Sequence, residues 1–311
     1  MGCYHLRHIT ARLIPLPLSA RLCKMFGFQA HFVGKRNNMG KSKKSKAAPG
    51  TLMLIGGAED KFEAKYLLNV FFEAGGGRRS RICILPSASE EADSGTIYHQ
   101  VFTGFGAPYV QILPLFNRAD AELPDVAQEL SKATGIFMTG GDQNKIVGIL
   151  HGTAALRAIQ TAYANGAAIG GTSAGASAMS DPMIGGGLVG SLARSGMVKL
   201  HQGLGLTTSL LIDQHFHQRN RLGRLLTAVM SYPDMLGIGV DEDTAALVTH
   251  DGELKVMGRG TVTIIDPRQV HSPNLAIAPD KSPIPFSNIV LHTLVHGGRF
   301  DLNKRAYVAQ E

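Results

Sequence analysis

Short apolar runs alternate with helical patterns along the chain from residue 51 onwards. Runs typical of strands buried on both faces occupy residues 51–57, 81–86, 110–115, 135–141 and 167–171. Between them, apolar positions at helical spacing predict helices at 61–74, 144–150 and 153–165. This alternation predicts an α/β fold in which helices sandwich a mostly parallel sheet.

The pattern changes at about residue 236, where strand-like segments follow one another with little between them. They occupy residues 236–240, 244–248, 253–256 and 261–265. His250, Asp251 and Gly252 form a turn sequence between two of these segments, which predicts a hairpin. We therefore expect residues 51–311 to form a single α/β domain with a β-rich C-terminal part.

Charge separates the first 50 residues from the rest. They contain ten of the 31 Lys and Arg residues and no Asp or Glu, which leaves 21 basic against 24 acidic residues elsewhere. The positive net charge therefore does not indicate a nucleic-acid partner for the domain. We expect residues 1–50 to be a basic arm that is disordered or, if translation begins near Met39, partly untranslated.

Two further features concern the compartment. Cys3, Cys23 and Cys83 are too few and too scattered for a disulfide framework or a zinc site, which favours a reducing, cytoplasmic location. The least charged stretch, between Arg157 and Arg194, is rich in Gly, Ser and Thr, so we expect no membrane span.

A Gly-x-Ser-x-Gly pattern lies at residues 171–175, between a predicted strand and a helix. In this context it predicts a nucleophile elbow with Ser173 as the nucleophile, although a tight turn or a phosphate-binding turn has the same pattern. Gly140 and Gly141 end another predicted strand, at 135–141, so their backbone can approach a ligand closely. The N–H groups of Gly141 and Ala174 are therefore candidates for an oxyanion hole.

A nucleophilic serine needs a base and an orienting acid. His215 and His217 are both candidates for the base, or for metal ligands, and the acids at 241–243 follow a predicted strand. The order Ser, His, acid differs from the Ser, acid, His order of α/β-hydrolases. The arginines at 219, 221 and 224 fit either a salt-bridge set at a helix start or binding sites for substrate carboxylates.

Eight segments together resemble the cyanophycinases, which belong to a serine peptidase family that also includes aspartyl dipeptidases. They are LMLIGGAEDK (52–61), ILPSAS (84–89), MTGGDQ (138–143), GGTSAGASAMS (170–180), GLGL (203–206), IDQHFHQRNRLGRLL (212–226), GIGVDEDTA (237–245) and FDL (300–302). The elbow alone is not specific, but the segments at 212–226 and 237–245 are. The resemblance covers residues 51–302.

The resemblance implies a fold similar to class I glutamine amidotransferases, a homodimer and no metal or organic cofactor. It implies Ser173 as nucleophile, His215 as base and Glu242 as orienting acid. It also implies substrate-binding positions at Gln143, Asp213, Gln214, Arg219, Arg221 and Arg224. The implied substrate is cyanophycin, a poly-aspartate whose side chains are amide-linked to arginine, and the product is β-aspartyl-arginine.

Two alternatives stay open at this point. One is a dipeptidase for short aspartyl peptides, and the other is a non-catalytic protein that binds cyanophycin. Acidic residues near predicted strand ends are candidates for guanidinium subsites: Glu59, Asp60, Glu90, Glu91 and Asp93.

Overall fold

The computed structural model describes residues 48–88, 94–271 and 281–309. The basic arm lies outside this part of the chain except for residues 48–50, and so do Glu90, Glu91 and Asp93. Within the described ranges, no helix has the length and apolar character that a membrane crossing needs.

The helices and strands follow the predicted alternation up to the elbow. They are β1 (Leu52–Ile55), α1 (Tyr66–Ala74), β2 (Arg81–Leu85), α2 (Ser94–Gly104), β3 (Tyr109–Ile112), α3 (Pro124–Lys132), β4 (Gly135–Met138), α4 (Gln143–Leu150), α5 (Ala154–Ala164) and β5 (Ala168–Thr172). After the elbow come α6 (Ala174–Ser177), β6 (Met183–Gly187), β7 (Val198–His201), β8 (Leu210–Gln214), α7 (Leu222–Ser231), β9 (Leu236–Val240), β10 (Thr244–Val248), β11 (Glu253–Gly258), β12 (Val262–Asp266), β13 (Val290–Leu294), β14 (Arg299–Asp301) and β15 (Ala306–Val308).

The main sheet is mixed rather than mostly parallel. Its strand order is β15-β14-β11-β10-β1-β5-β4-β2-β3, and the strands from β1 to β3 in this order pair in parallel. The other half is antiparallel, because β10 returns beside β1 and continues into the hairpin with β11 that the turn at 250–252 predicts. A second sheet has the order β13-β12-β9-β8, with β8 and β9 parallel.

Apolar side chains alternate between the two faces of the parallel strands. On one face, Phe71 of α1 and Phe102 of α2 pack against Phe137 of β4, with ring centroids 5.1 and 5.6 Å from that of Phe137. On the other face, Leu52 and Leu54 of β1 join a larger core with α3, α4 and α5. Helices thus cover both faces of this half, as the continuous apolar runs predict.

Helix α1 begins at Tyr66, five residues later than the apolar spacing predicts. The carboxylate of Asp60 accepts hydrogen bonds from the N–H groups of Phe62 and Glu63, both at 2.9 Å, and of Lys65 at 3.0 Å. An aspartate side chain that binds its own downstream backbone competes with the helix. Residues 61–65 therefore form a loop, which places residues 57–61 beside the elbow.

Candidate active site

The elbow is a tight turn that admits only small residues at its flanks. Ser173 follows β5 directly and has φ 52° and ψ −112°, a sparsely populated conformation of the kind that clusters at active sites. A Cβ at Gly171 would lie 2.4 Å from the carbonyl of Gly175, and one at Gly175 would lie 2.4 Å from the carbonyl oxygen of Met138. The glycines of the pattern are thus required by the packing of the turn.

Ser173, His215 and Glu242 form a chain of hydrogen bonds. The Oγ of Ser173 lies 3.0 Å from Nε2 of His215, and Nδ1 of His215 lies 2.6 Å from Oε1 of Glu242. Strands β8 and β9 are parallel neighbours, so the residues that follow their carboxyl ends meet at one edge of the second sheet. His215 follows β8, and Glu242 lies between β9 and β10.

The surroundings of His215 favour its neutral form. Burial lowers the pKa of His215 below its usual 6.5, the hydrogen bond to Glu242 opposes this effect, and the positive charges of Arg219 and Arg221 lower the pKa further. A neutral imidazole whose Nδ1 donates to a carboxylate presents a free lone pair at Nε2. His215 is therefore ready to accept a proton from Ser173 at neutral pH.

His217, the other candidate base, contacts a different acid. Its Nδ1 lies 2.9 Å from Oδ1 of Asp241, and its side chain is 55% exposed. Asp241 also accepts hydrogen bonds from the backbone N–H and the hydroxyl of Thr261. Among the described residues, no three His, Cys, Asp or Glu side chains converge in the manner of metal ligands.

Asp213, Arg221 and Arg224 bind one another in the interior. The carboxylate of Asp213 has no solvent exposure; its Oδ1 accepts from Nη1 of Arg221 at 3.2 Å, and its Oδ2 accepts from Nε of Arg224 at 2.8 Å. Nη2 of Arg224 makes a second, short hydrogen bond to Asp213. Burial lowers the pKa of Arg221 to about 10. This geometry fits the salt-bridge set that the sequence allows, and neither arginine lines the cleft beside Ser173.

The remaining candidate residues are closer to the nucleophile or to solvent. Oε1 of Gln214 lies 3.2 Å from the Oγ of Ser173. Gln143 begins α4, and its Nε2 donates to the carbonyl oxygen of Ile184 at 3.0 Å. Arg219 is exposed, and its positive charge lowers the pKa of His215. Of the two residues expected to form an oxyanion hole, Gly141 lines the cleft and Ala174 follows Ser173 at the start of α6.

A cleft of about 600 Å³ opens beside Ser173 and His215. Other residues that line it come from the loops after β1 and β4 and from α2: Gly57, Ala58, Glu59, Lys61, Ile97, Tyr98, Thr139, Gly140, Gly141 and Asp142. Sequence reasoning missed Gly57, Lys61 and Tyr98. The segment 52–61 contained the signal for the first two, because glycines and charged residues after a buried strand mark the carboxyl edge of a parallel sheet.

The chain is similar to several known proteins. The sequence model of "Peptidase family S51" matches residues 52–257. The cyanophycinase of Synechococcus elongatus is 43% identical over 255 residues, which cover 81% of this chain and 79% of that protein. The cyanophycinase of Trichormus variabilis is 41% identical and covers 83% of this chain and 88% of its own length. Among solved structures, a peptidase from an acI-B1 Actinobacterium has a similar fold, with a TM-score of 0.60, 20% identity and coverage of 82% of this chain and 98% of that chain.

Proposed function

The chain belongs to peptidase family S51 and is a serine-type peptidase, and we propose that it is an exopeptidase that hydrolyses cyanophycin to β-aspartyl-arginine. The substrate class is supported by relatives named cyanophycinases at 41–43% identity over most of the chain. The observation that carries the catalytic assignment is the hydrogen-bonded series Ser173–His215–Glu242 beside the cleft.

The geometry supports an acyl-enzyme mechanism. Ser173 Oγ attacks the carbonyl carbon of a backbone aspartyl peptide bond while its proton passes to Nε2 of His215. Glu242 accepts the hydrogen bond from Nδ1 and stabilises the imidazolium that forms, and the N–H groups of Gly141 and Ala174 donate to the oxyanion. The tetrahedral intermediate collapses as His215 gives its proton to the leaving amine. Water, activated by the same imidazole, then hydrolyses the ester at Ser173.

The motif resemblance supports several finer features of the proposal. Residues 51–311 form one peptidase domain of the class I glutamine amidotransferase type, with a β-rich C-terminal part. The enzyme acts in the cytoplasm as a homodimer, and residues 1–50 are a basic arm that the reaction does not need. Removal of residues 1–38 should accordingly leave the activity unchanged.

The test is incubation of the purified protein with insoluble cyanophycin, with soluble products identified by mass. We expect β-aspartyl-arginine from the wild type, and a loss of several orders of magnitude in Ser173→Ala and in His215→Ala. Ser131→Ala, on the exposed side of α3, and His217→Ala are matched controls that should retain activity. Hydrolysis of short aspartyl peptides alone would assign a dipeptidase, and a folded protein with neither activity would refute the proposal.

A further inference from the structure

A buried carboxylate lies next to the nucleophile without being part of the catalytic series. Glu59 is 3% exposed, and its Oε2 accepts a hydrogen bond of 2.5 Å from the hydroxyl of Thr172, the residue before Ser173. Its Oε1 accepts a short hydrogen bond from the Tyr98 hydroxyl and lies 3.1 Å from Nζ of Lys61. Burial and the negative charge of Glu59 raise the pKa of Tyr98, so the phenol keeps its proton and stays a donor. Both oxygens of Glu59 thus have partners within the protein, and the guanidinium subsite expected there from the sequence stays a prediction.

Lys61 is held in place by this carboxylate but remains accessible. An ammonium group has three donors. Two of them face Glu59, at 3.1 Å from Oε1 and 3.2 Å from the main-chain oxygen. Nζ also lies 5.6 Å from the centroid of the Tyr98 ring, and the side chain is 23% exposed. The third donor is available to a ligand in the cleft. Because Glu59 already holds the ammonium group in place, the Lys61 side chain loses little conformational entropy when a ligand binds.

Lys61 differs in charge from the other residues that line the cleft. Among the described residues that line the cleft, Lys61 is the one lysine or arginine. Of the three arginines that the resemblance would assign to substrate, Arg221 and Arg224 bind Asp213, and Arg219 is exposed and does not line the cleft. A carboxylate that enters a partly desolvated cleft needs a cationic partner. The structure offers that partner at Lys61.

We propose that Lys61 binds the free α-carboxylate of the arginyl branch on the unit being cleaved, and is thereby a specificity-determining residue. The assignment rests on the proposed function, because cyanophycin supplies one such carboxylate for every arginine amide-linked to its backbone. Glu59 and Tyr98 hold the ammonium at the wall of the cleft that contains Ser173. The ion pair orients the branch while Ser173 attacks the backbone carbonyl.

The test compares two soluble cyanophycin segments of a few units, one natural and one in which the arginyl α-carboxylates are replaced by carboxamides. For the wild type we expect KM for the amidated segment to be about tenfold higher or more, because a charge-assisted hydrogen bond is lost. Lys61→Met should raise KM for the natural segment by a similar factor, leave kcat within a few-fold and abolish the discrimination between the two segments. Lys61→Arg should restore part of it, and Lys132→Met, on the exposed side of α3, is the matched control.

The outcomes separate a failure of the role proposed for Lys61 from a failure of the proposed function. Equal KM values of the wild type for the two segments, or an equal loss on both in Lys61→Met, would overturn the role of Lys61 and leave the proposed function standing. The wild-type comparison decides the matter even if Lys61→Met fails to fold, because it needs no variant. Hydrolysis of neither segment by the wild type would overturn the proposed function and this assignment with it.

Discussion

Gly57→Ala should disable the base without removing any catalytic group. Gly57 lies in the loop after β1 and has φ +99°, and its α-carbon faces the ring of His215. A Cβ at this position would lie 2.4 Å from both Cε1 and Nε2 of the ring. The carbonyl of Gly57 also accepts a hydrogen bond of 2.9 Å from the N–H of Asp243, next to Glu242. The backbone of Gly57 therefore limits where the imidazole and its orienting acid can lie.

The size of the effect follows from these distances. The optimal separation of non-bonded carbon atoms is about 3.5 Å, so the ring must move by roughly 1 Å to make room for the new methyl group. A shift of that size takes the 3.0 Å contact between Ser173 and His215 beyond hydrogen-bond reach. Misplacement by about 1 Å costs on the order of 100-fold in rate. A side chain at positive φ should also cost about 1–2 kcal/mol of folding free energy.

The assay is kcat/KM on a soluble cyanophycin segment, with thermal unfolding of the same samples. Gly104→Ala is the matched control, because a Cβ at the end of α2 would meet no described atom within 4 Å. We expect Gly57→Ala to fold with a modestly lower Tm and to lose about 100-fold in kcat/KM, while Gly104→Ala stays near the wild type. A folded Gly57→Ala enzyme with nearly full activity would refute the argument that this glycine makes room for the base.

Two further variants test the charges behind the site. Arg219→Met removes a positive charge that lowers the pKa of His215, so the acid limb of kcat/KM, which lies below pH 6.5 in the wild type, should move to higher pH; a stationary limb would contradict this coupling. Asp213→Asn leaves the buried guanidinium groups of Arg221 and Arg224 without their carboxylate, so urea unfolding should show a loss of about 3–5 kcal/mol. A loss below about 1 kcal/mol would mean that the cluster contributes little to the fold.

The parallel half of the main sheet could be predicted from the sequence because each of its strands is buried on both faces. Such strands are nearly continuous apolar runs, and the helices between them have a clear period. The antiparallel half was harder to predict because its pairing is not local. The partner of β10 on one side is β11, which follows it after a short turn, but on the other side it is β1, almost 200 residues earlier. Nothing in the local pattern of 244–248 specifies that contact.

The elbow could be predicted because its requirements are local. The backbone at Ser173 needs small neighbours at fixed offsets, and both glycines of the pattern lie against backbone atoms within a few residues or on the adjacent strand. The base could not be chosen from the residues alone, since His215 and His217 share a segment and each has an acid partner. The tertiary structure separates them: Nε2 of His215 lies 3.0 Å from Oγ of Ser173, whereas Nδ1 of His217 lies 2.9 Å from Oδ1 of Asp241.

The ion pairs of Arg221 and Arg224 show that charge type alone does not say which carboxylate an arginine binds. Arg221 and Arg224 have the planar fork that suits a carboxylate, and the structure does use them to bind one. That carboxylate is Asp213 near the end of β8, two residues before His215, so the ion pairs connect the end of this strand to the start of α7. Neither guanidinium lines the cleft beside Ser173, so these two arginines present no donor there. Lys61 differs because its side chain lines the cleft, where its anchoring carboxylate occupies only part of its donors.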